Sequence, residues 1–295
     1  MTSETFLAVC LGGVVLGALY ALMATGLAVV WTTLGIFNFA HGAFIVLGAY
    51  VAWQVGNANA DGAGFLAGAG ACVVCLFLVG VLFHWLLVKP FERKPNVVLL
   101  SVVTTLAGAS ILEGLTNLVW GPRSKQLDPI AAGDAQWGGL VMSRNELLMI
   151  ALSVVILAAV GAFLRYSSVG RSMRAVAQNR EAAQLLGLDV ARLYALAFGL
   201  SASLAGIAGL FIGSIRFMTP TMGAEPLMKA LIVVIFGGVA RFTSPIYAAF
   251  VVGAVEAFSS YYVGLYWTPA VLFALMIVVL MIKPEGLFGK HERSV

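Results

Sequence analysis

Long runs of apolar residues follow one another along the chain, separated by short polar stretches. Each run is about 20 residues long, the length an α-helix needs to cross roughly 30 Å of hydrocarbon. In lipid a spanning segment must satisfy its own backbone hydrogen bonds, so such runs indicate membrane helices. The pattern predicts segments near residues 6–33, 36–55, 63–88, 97–119, 146–166, 194–215, 227–240, 244–264 and 267–282.

The composition supports a membrane protein and excludes a soluble domain. Of the 295 residues, 61% are hydrophobic and 10% are charged, whereas soluble domains carry about 25% charged residues. We therefore predict an all-α fold, a polytopic transmembrane bundle of eight or nine segments that forms one domain over residues 1–295. The segment at 227–240 is short and the one at 36–55 begins with polar residues, so either can be a half-helix or a re-entrant element.

Lysine and arginine are concentrated in three polar stretches, residues 89–95, 165–192 and 283–293. The positive-inside rule predicts that all three face the cytoplasm, which puts the loop 121–145 and the turn 216–226 on the outside. The net charge of +4 is therefore a topology signal and predicts no nucleic-acid partner.

Small residues point to a tightly packed bundle with broken helices. The pairs Gly13/Gly17 and Gly209/Gly213 have the four-residue spacing that lets helix backbones approach closely. A faint internal repeat is also present, because two Gly- and Ala-rich helices, 13–31 and 199–215, each lead into a polar break and then a shorter apolar run. Transporters often contain such repeats, with broken helices at the substrate site.

One polar stretch, residues 167–198, is patterned as a helix although it is too polar for the bilayer. Apolar residues recur at helical spacing from Met173, and Gly187 closes the run as a C-cap glycine would. We predict a single short cytoplasmic helix between these two residues, displayed on a loop at about 167–193. A second short helix is expected to re-enter the membrane near Leu193.

Four stretches together resemble the branched-chain amino acid type of ABC transporter permease. REAAQLLGLDVARLYALAF (180–198) is similar to the EAA loop of ABC importer permeases, and GLAVVWTTLGIFNFAHGAFIVLGAY (26–50) to a signature near the family's N-terminus. GRSMRAVAQNREAAQLLG (170–187) and KPEGLFGK (283–290) resemble further parts of that family. The likeness runs over residues 12–290, and the size is that of the shorter of the two permeases in such systems.

The resemblance implies a permease subunit of an ATP-driven importer for amino acids or related small polar solutes, in a bacterial inner (cytoplasmic) membrane. A second homologous permease would complete a heterodimeric path through the lipid membrane. Two cytoplasmic ATPase subunits would drive transport, and an extracytoplasmic substrate-binding protein would deliver the solute. The residues implied to couple to an ATPase are Arg174, Arg180, Glu181, Ala182, Ala183 and Gly187.

The sequence offers no nucleotide site or catalytic group of its own. It contains no G-x-x-x-x-G-K-[ST] loop, so ATP hydrolysis is expected on a partner and the chain is not predicted to be an enzyme. Cys10, Cys72 and Cys75 lie in apolar runs and are interpreted as small hydrophobic residues, and the three histidines lack metal-ligand spacing. No cofactor is therefore expected.

Several polar residues lie inside the apolar runs and are candidates for the translocation path. Asn38 and His41 are three residues apart, which would place them on one helical face, and Gly42 would ease a break there. They form either a structural hinge, with Asn38 capping a half-helix, or a wall of the path. Glu113 and Glu256 should face the bundle interior or water, as path or packing residues, because an unpaired carboxylate in lipid is costly.

His84 lies near a predicted cytoplasmic helix end and is expected to be interfacial. The same broken helices and membrane carboxylates would also suit an ATP-independent secondary transporter or channel. The EAA-like loop discriminates between the two functions, because a secondary carrier has no need of it.

Overall fold

The computed structural model describes residues 2–58, 64–92, 94–137, 140–238 and 242–289. Arg93 and the basic residues after 289 therefore lie outside the described residues. The helices are α1 (Ser3–Leu34), α2 (His41–Ala58), α3 (Gly64–Phe83), α4 (Val97–Trp120), α5 (Arg144–Tyr166), α6 (Ser168–Gln178), α7 (Arg180–Leu185), α8 (Val190–Ile215), α9 (Ala224–Gly237), α10 (Ser244–Tyr262) and α11 (Thr268–Ile282).

Every apolar run predicted from the sequence contains a helix, which confirms the all-α polytopic fold. Within the described ranges, α1, α3, α4, α5 and α8 are the five helices that are long and apolar enough to cross a membrane. Helix α3 continues through a π-helical turn (His84–Val88) and a 3-10 turn (Lys89–Phe91), so the helical segment Gly64–Phe91 has 28 residues. Helix α9 has 14 residues, about 21 Å at 1.5 Å per residue, so it is shorter than the hydrocarbon layer.

The chain divides into two compact units. Unit 1 comprises Met1–Thr25, Pro129–Ala158 and Met228–Val295, and unit 2 comprises Gly26–Asp128 and Ala159–Leu227. Three of the four boundaries fall within α1, α5 and α9, so each of these helices contributes residues to both units, and the fourth lies in the loop after α4. The single functional domain over 1–295 stays a prediction.

Helices α2, α3 and α8 form the core of unit 2 and pack at backbone distance. A Cβ atom on Gly209 of α8 would overlap the carbonyl oxygen of Ile45 in α2, so only glycine fits this crossing. Phe44 packs edge-on against Phe83, with ring centroids 5.2 Å apart, and Phe83 stacks on Phe198 at 6.2 Å. The close helix approach predicted from the glycine spacing is confirmed here.

The loop between α4 and α5 contains a β-hairpin that the sequence pattern did not predict. Strands β1 (Asp134–Trp137) and β2 (Leu140–Ser143) pair antiparallel, with Asp134 opposite Ser143. The Asn145 side chain accepts a hydrogen bond from the main-chain N–H of Ile130 at 2.9 Å, which fixes the loop beside the start of α5.

The prediction of one helix between Met173 and Gly187 is wrong, because the segment forms two helices, α6 and α7. Asn179 separates them with an extended backbone, at φ −156° and ψ 107°. Its side chain accepts a hydrogen bond from the N–H of Ala182 at 2.9 Å and so caps α7. An asparagine side chain that caps a new helix competes with continuation of the old one, which explains the break.

Gly187 ends α7 as predicted, at φ +81°. The Gly187 N–H donates to the carbonyl of Gln184 at 2.9 Å, and the Leu188 N–H donates to that of Ala183 at 3.1 Å, which is the Schellman pattern. The expected second short helix near Leu193 is not found, because α8 is continuous from Val190. Asp189 caps its start by accepting from the N–H of Arg192 at 3.1 Å.

Candidate functional site

The coupling segment, defined here as residues 168–187, presents one outward face on α7. Leu185 and Leu186 are 89% and 80% exposed, and Glu181 is exposed beside them, as are Ala182 and Gly187. Large apolar side chains with such exposure outside a membrane helix mark an interaction surface.

The opposite face of the coupling segment packs onto the chain. Met173 of α6 and Ala183 of α7 are 1% and 2% exposed, so Ala183 has its side chain turned inward. The Arg174 guanidinium donates to the main-chain carbonyls of Leu164 and Arg165. These carbonyls lie in the last turn of α5 and have no partner within that helix, so Arg174 caps α5 and ties α6 to it.

A second tie connects α7 to the end of α3 through a buried ion pair. His84 Nε2 lies 2.7 Å from Glu92 Oε1, and their side chains are 0% and 9% exposed. Arg180 Nη2 lies 3.8 Å from Glu92 Oε2, and its guanidinium lies over the Tyr194 ring at 5.4 Å. His84 is therefore fully buried within the chain, and Glu92 links it to the first residue of α7. Its interfacial position in the membrane stays a prediction.

Asn38, His41 and Gly42 lie where the chain breaks between α1 and α2. The Asn38 Oδ1 atom accepts from the N–H of Ala40 at 3.1 Å, and α2 begins at His41. Asn38 thus precedes the helix, so the predicted shared helical face with His41 does not exist. The Asn38 side chain also does not cap α2, because the N–H it bonds belongs to Ala40, one residue before the helix begins. Both side chains are 0% exposed, and His41 Nδ1 lies 3.4 Å from Ser201 Oγ of α8.

Gly42 brings this break against the second one, between α8 and α9. A Cβ atom on Gly42 would overlap the carbonyl oxygen of Gly223, and one on Gly223 would lie 2.7 Å from the carbonyl oxygen of Gly42. The chain break after α1 and the chain break after α8 therefore contact each other within unit 2, and the internal repeat stays a prediction.

Glu256 of α10 is buried and paired. Its carboxylate accepts from the Tyr20 hydroxyl at 2.5 Å and from Lys229 Nζ of α9 at 2.7 Å. The residue is 4% exposed. The expectation that Glu256 faces the bundle interior is met within unit 1, and its charge is neutralised there by Lys229.

Glu113 of α4 has a different environment, at a cavity of about 410 Å³ in unit 2. We call this space the Glu113 cavity. The cavity is lined by residues of α4 and of the loops that follow α4 and α8. They include Ser110, Glu113, Asn117, Pro122, Thr219 and Thr221. Glu113 is half-buried there, and Ser110, Asn117 and Thr221 are exposed, so the cavity is open to one side. The expectation that this carboxylate faces the interior or water stays a prediction.

Comparison with known proteins places the chain in a family. Residues 9–280 match the family model described as branched-chain amino acid transport system / permease component. The chain belongs to this family of permease components. It is 29% identical to the high-affinity branched-chain amino acid transport permease LivH of Escherichia coli (strain K12), over 97% of this chain and 96% of that protein.

Two further relatives have names of the same kind. It is 24% identical to the high-affinity branched-chain amino acid transport permease BraD of Pseudomonas aeruginosa, over 95% of this chain and 94% of that protein. It is 26% identical to a probable LivH permease of Methanocaldococcus jannaschii, over 94% and 91%. The permease is accordingly a transport subunit and a multi-pass membrane protein, as the sequence motifs predicted.

The sequence analysis missed the partners of the permease's buried charges. Glu92 is the one acidic residue in the basic stretch 89–95, and Lys229 is a lysine inside an apolar run, so both carried a visible signal. Tyr20 carried none, since tyrosine is common in apolar helices. The exposure of Leu185 and Leu186 could not be predicted from the sequence, because two leucines fit a buried helix face equally well.

Proposed function

We propose that this permease is the membrane subunit of an ATP-driven importer for amino acids or related small polar solutes, and that a cytoplasmic ATPase docks on α7. The observation that carries the proposal is the exposed Leu185–Leu186 pair beside Glu181, on a segment whose other face is anchored. An apolar centre with a charge at its edge is the usual composition of a protein interface.

The proposed assembly follows the systems in which the relatives are permease components. A second homologous permease completes the translocation path as a heterodimer with this chain, whose 295 residues act as one permease domain. Two ATPase subunits lie on the cytoplasmic side, and a binding protein delivers substrate from outside the bacterial inner membrane. The names of the relatives favour branched-chain amino acids as substrates.

The six residues predicted to couple to the ATPase take two roles in this proposal. Glu181, Ala182 and Gly187 are exposed and contact the ATPase together with the two leucines. Arg174, Arg180 and Ala183 face the chain and hold the segment in place.

The anchors supply the route by which a displacement of α7 reaches the membrane helices. Arg180 and Glu92 connect α7 to His84 at the end of α3, and Arg174 connects α6 to the end of α5. A segment tied at both ends to helices transmits a rigid movement, which an untethered loop does not. ATPase closure would thereby drive alternating access of the path.

Among the path candidates, burial separates structural residues from accessible ones. Asn38, His41 and Gly42 are buried at the junction of the two helix breaks, and we assign them to the hinge. Glu256 is paired with Lys229 and is assigned to helix packing. Glu113 lines a cavity and is the candidate for contact with substrate.

ATP-dependent uptake in proteoliposomes that hold the full assembly tests the proposal. We expect the double variant Leu185→Asp/Leu186→Asp to lose both ATPase co-purification and uptake, because buried carboxylates disfavour an apolar interface. The matched control, Leu185→Met/Leu186→Met, keeps an apolar surface and should retain both. Unchanged uptake by the Asp variant, or wild-type uptake without ATP, would contradict the proposal and favour a secondary transporter.

A further inference from the structure

We propose that the Glu113 cavity binds the ammonium group of the transported solute, with the Glu113 carboxylate as its counter-charge. The inference deepens the proposed function and rests on it for the statement that the bound solute is the transported one. It assigns a chemical class, a primary ammonium, and a location within unit 2.

The first observation is the pattern of polar residues on α4. Glu113 is the one charged residue among the 24 of this helix. Ser110, Glu113 and Asn117 have the helical spacing that places them on one face, and all three line the cavity. The large apolar residues Ile111, Leu115 and Leu118 are exposed elsewhere on the helix. The polar face of α4 and the cavity therefore coincide.

The second observation is the charge of the lining. No lysine, arginine or histidine is among its residues, which are hydroxyl, amide, proline and glycine groups besides Glu113. In the described part of the chain no hydrogen bond or ion pair involves the Glu113 carboxylate, whereas Glu256 has both Lys229 and Tyr20. A carboxylate on an apolar helix without a protein cation favours a cation from outside the chain.

The third observation is that the far wall of the cavity is held in place. Thr219 and Thr221 lie in the break after α8, just beyond Met218. Met218 and Lys125 exchange two main-chain hydrogen bonds of 3.0 and 2.7 Å, and the Leu127 N–H donates to the carbonyl of Gly213 at 2.9 Å. The loop after α4 is thus paired with the break, which fixes the main chain just before the two threonines.

The chemistry of this lining fits an ammonium better than a metal ion. An ammonium has three N–H donors, which match one carboxylate and the hydroxyl and amide oxygens around it. Calcium prefers six to eight oxygen ligands, commonly from several carboxylates, and only one carboxylate is present. A cavity of about 410 Å³ also lies in the usual range of small-molecule sites.

The predicted topology gives the site a place in the transport cycle. The loop 121–145 and the turn 216–226 are predicted to face outward, and the cavity is lined by residues of both. A binding protein on that side would release substrate near Glu113. An ammonium held there would be the first contact of an amino acid with this subunit.

Charge-selective labelling tests the site in the purified full assembly, without ATP. A Thr221→Cys variant is treated with a trimethylammonium-ethyl or a sulfonato-ethyl methanethiosulfonate, and the wild-type chain gives the background of the native cysteines. We expect the cationic reagent to react faster, by on the order of tenfold, and Glu113→Gln to abolish the difference. L-leucine, L-alanine and L-phenylalanine are the zwitterionic probes, and at least one should slow labelling while 4-methylpentanoate, which lacks the ammonium, should not.

Three results would overturn the inference. The first is that the two reagents label at equal rates, or that Glu113→Gln leaves their difference unchanged. The second is that 4-methylpentanoate slows labelling, or that none of the three amino acids does. The third is labelling of the isolated subunit but not of the assembly, which would show that the second permease fills the cavity. Because labelling needs no ATP, protection that persists when ATP-dependent uptake fails would refute the importer function and leave the site intact.

Discussion

Two glutamates in membrane helices show how far the neighbours of a residue decide its role. Glu113 and Glu256 are each the only carboxylate in an apolar helix, and the sequence alone predicts the same environment for both. Tyr20 and Lys229 satisfy Glu256, whereas Glu113 faces a cavity. One is therefore a packing residue within its unit, and the other is available to a ligand.

Removal of Lys229 should destabilise the protein, since it leaves the Glu256 charge buried without its cation. We expect Lys229→Met to lower the free energy of unfolding by about 3–5 kcal/mol, the cost of breaking a buried ion pair. Thermal unfolding of the detergent-purified subunit measures the effect. The double variant Lys229→Met/Glu256→Met should recover most of the loss, and a double variant as unstable as the single one would refute the pairing.

At the scale of elements, helix α7 of the coupling segment is held by its attachments rather than by its length. Helix α7 has only six residues, too few to be stable in isolation. Its cap at Asn179, the Schellman turn at Gly187 and the tie from Arg180 to Glu92 hold it in place. A short helix fixed at both ends can move as a unit with the helices to which it is tied.

Loss of the Glu92 charge should uncouple the ATPase from transport. In Glu92→Gln the amide is neutral, so its links to His84 and Arg180 weaken, and we expect ATP-dependent uptake per ATP hydrolysed to fall severalfold while the ATPase still binds. Glu92→Asp keeps the charge and should recover part of the uptake per ATP hydrolysed. The matched control is Glu4→Gln, which removes the charge of an exposed glutamate near the N-terminus. An unchanged ratio in Glu92→Gln would exclude a role for this pair in coupling.

At the scale of the whole molecule, the distribution of basic residues sets the orientation of the chain in the membrane. The exposed residues Ser124, after α4, and Gln184, in α7, lie on either side of the single apolar helix α5. They should therefore face opposite sides of the membrane. The proposed function requires this orientation, because it places the Glu113 cavity and the coupling segment on opposite sides of the membrane.

Cysteine labelling in intact cells tests the orientation. Ser124→Cys should react with a membrane-impermeant maleimide from outside, and Gln184→Cys should react only after permeabilisation. The wild-type chain provides the background from its native cysteines. Labelling of both variants from the same side would show that α5 does not span the membrane.

The sequence by itself determined the class of fold, the positions of the apolar helices and the family. Helix position follows from local apolar runs because lipid requires every backbone group to be paired within its own segment. The cap residue Gly187 was predictable because a glycine with positive φ after an apolar helical run is a local signal of a helix end. The Asn179 break was not predicted, since helical spacing continues across it and only the capping geometry separates α6 from α7.

Tertiary structure alone decided which distant residues meet. The links from Tyr20 and Lys229 to Glu256 and from His84 to Arg180 through Glu92 join residues far apart in the chain. Such pairings depend on how helices cross, which no local pattern encodes. The helix crossings themselves require close backbone approach at single glycines such as Gly209. The distinction between a paired carboxylate and one that faces a cavity therefore exists only in the folded chain.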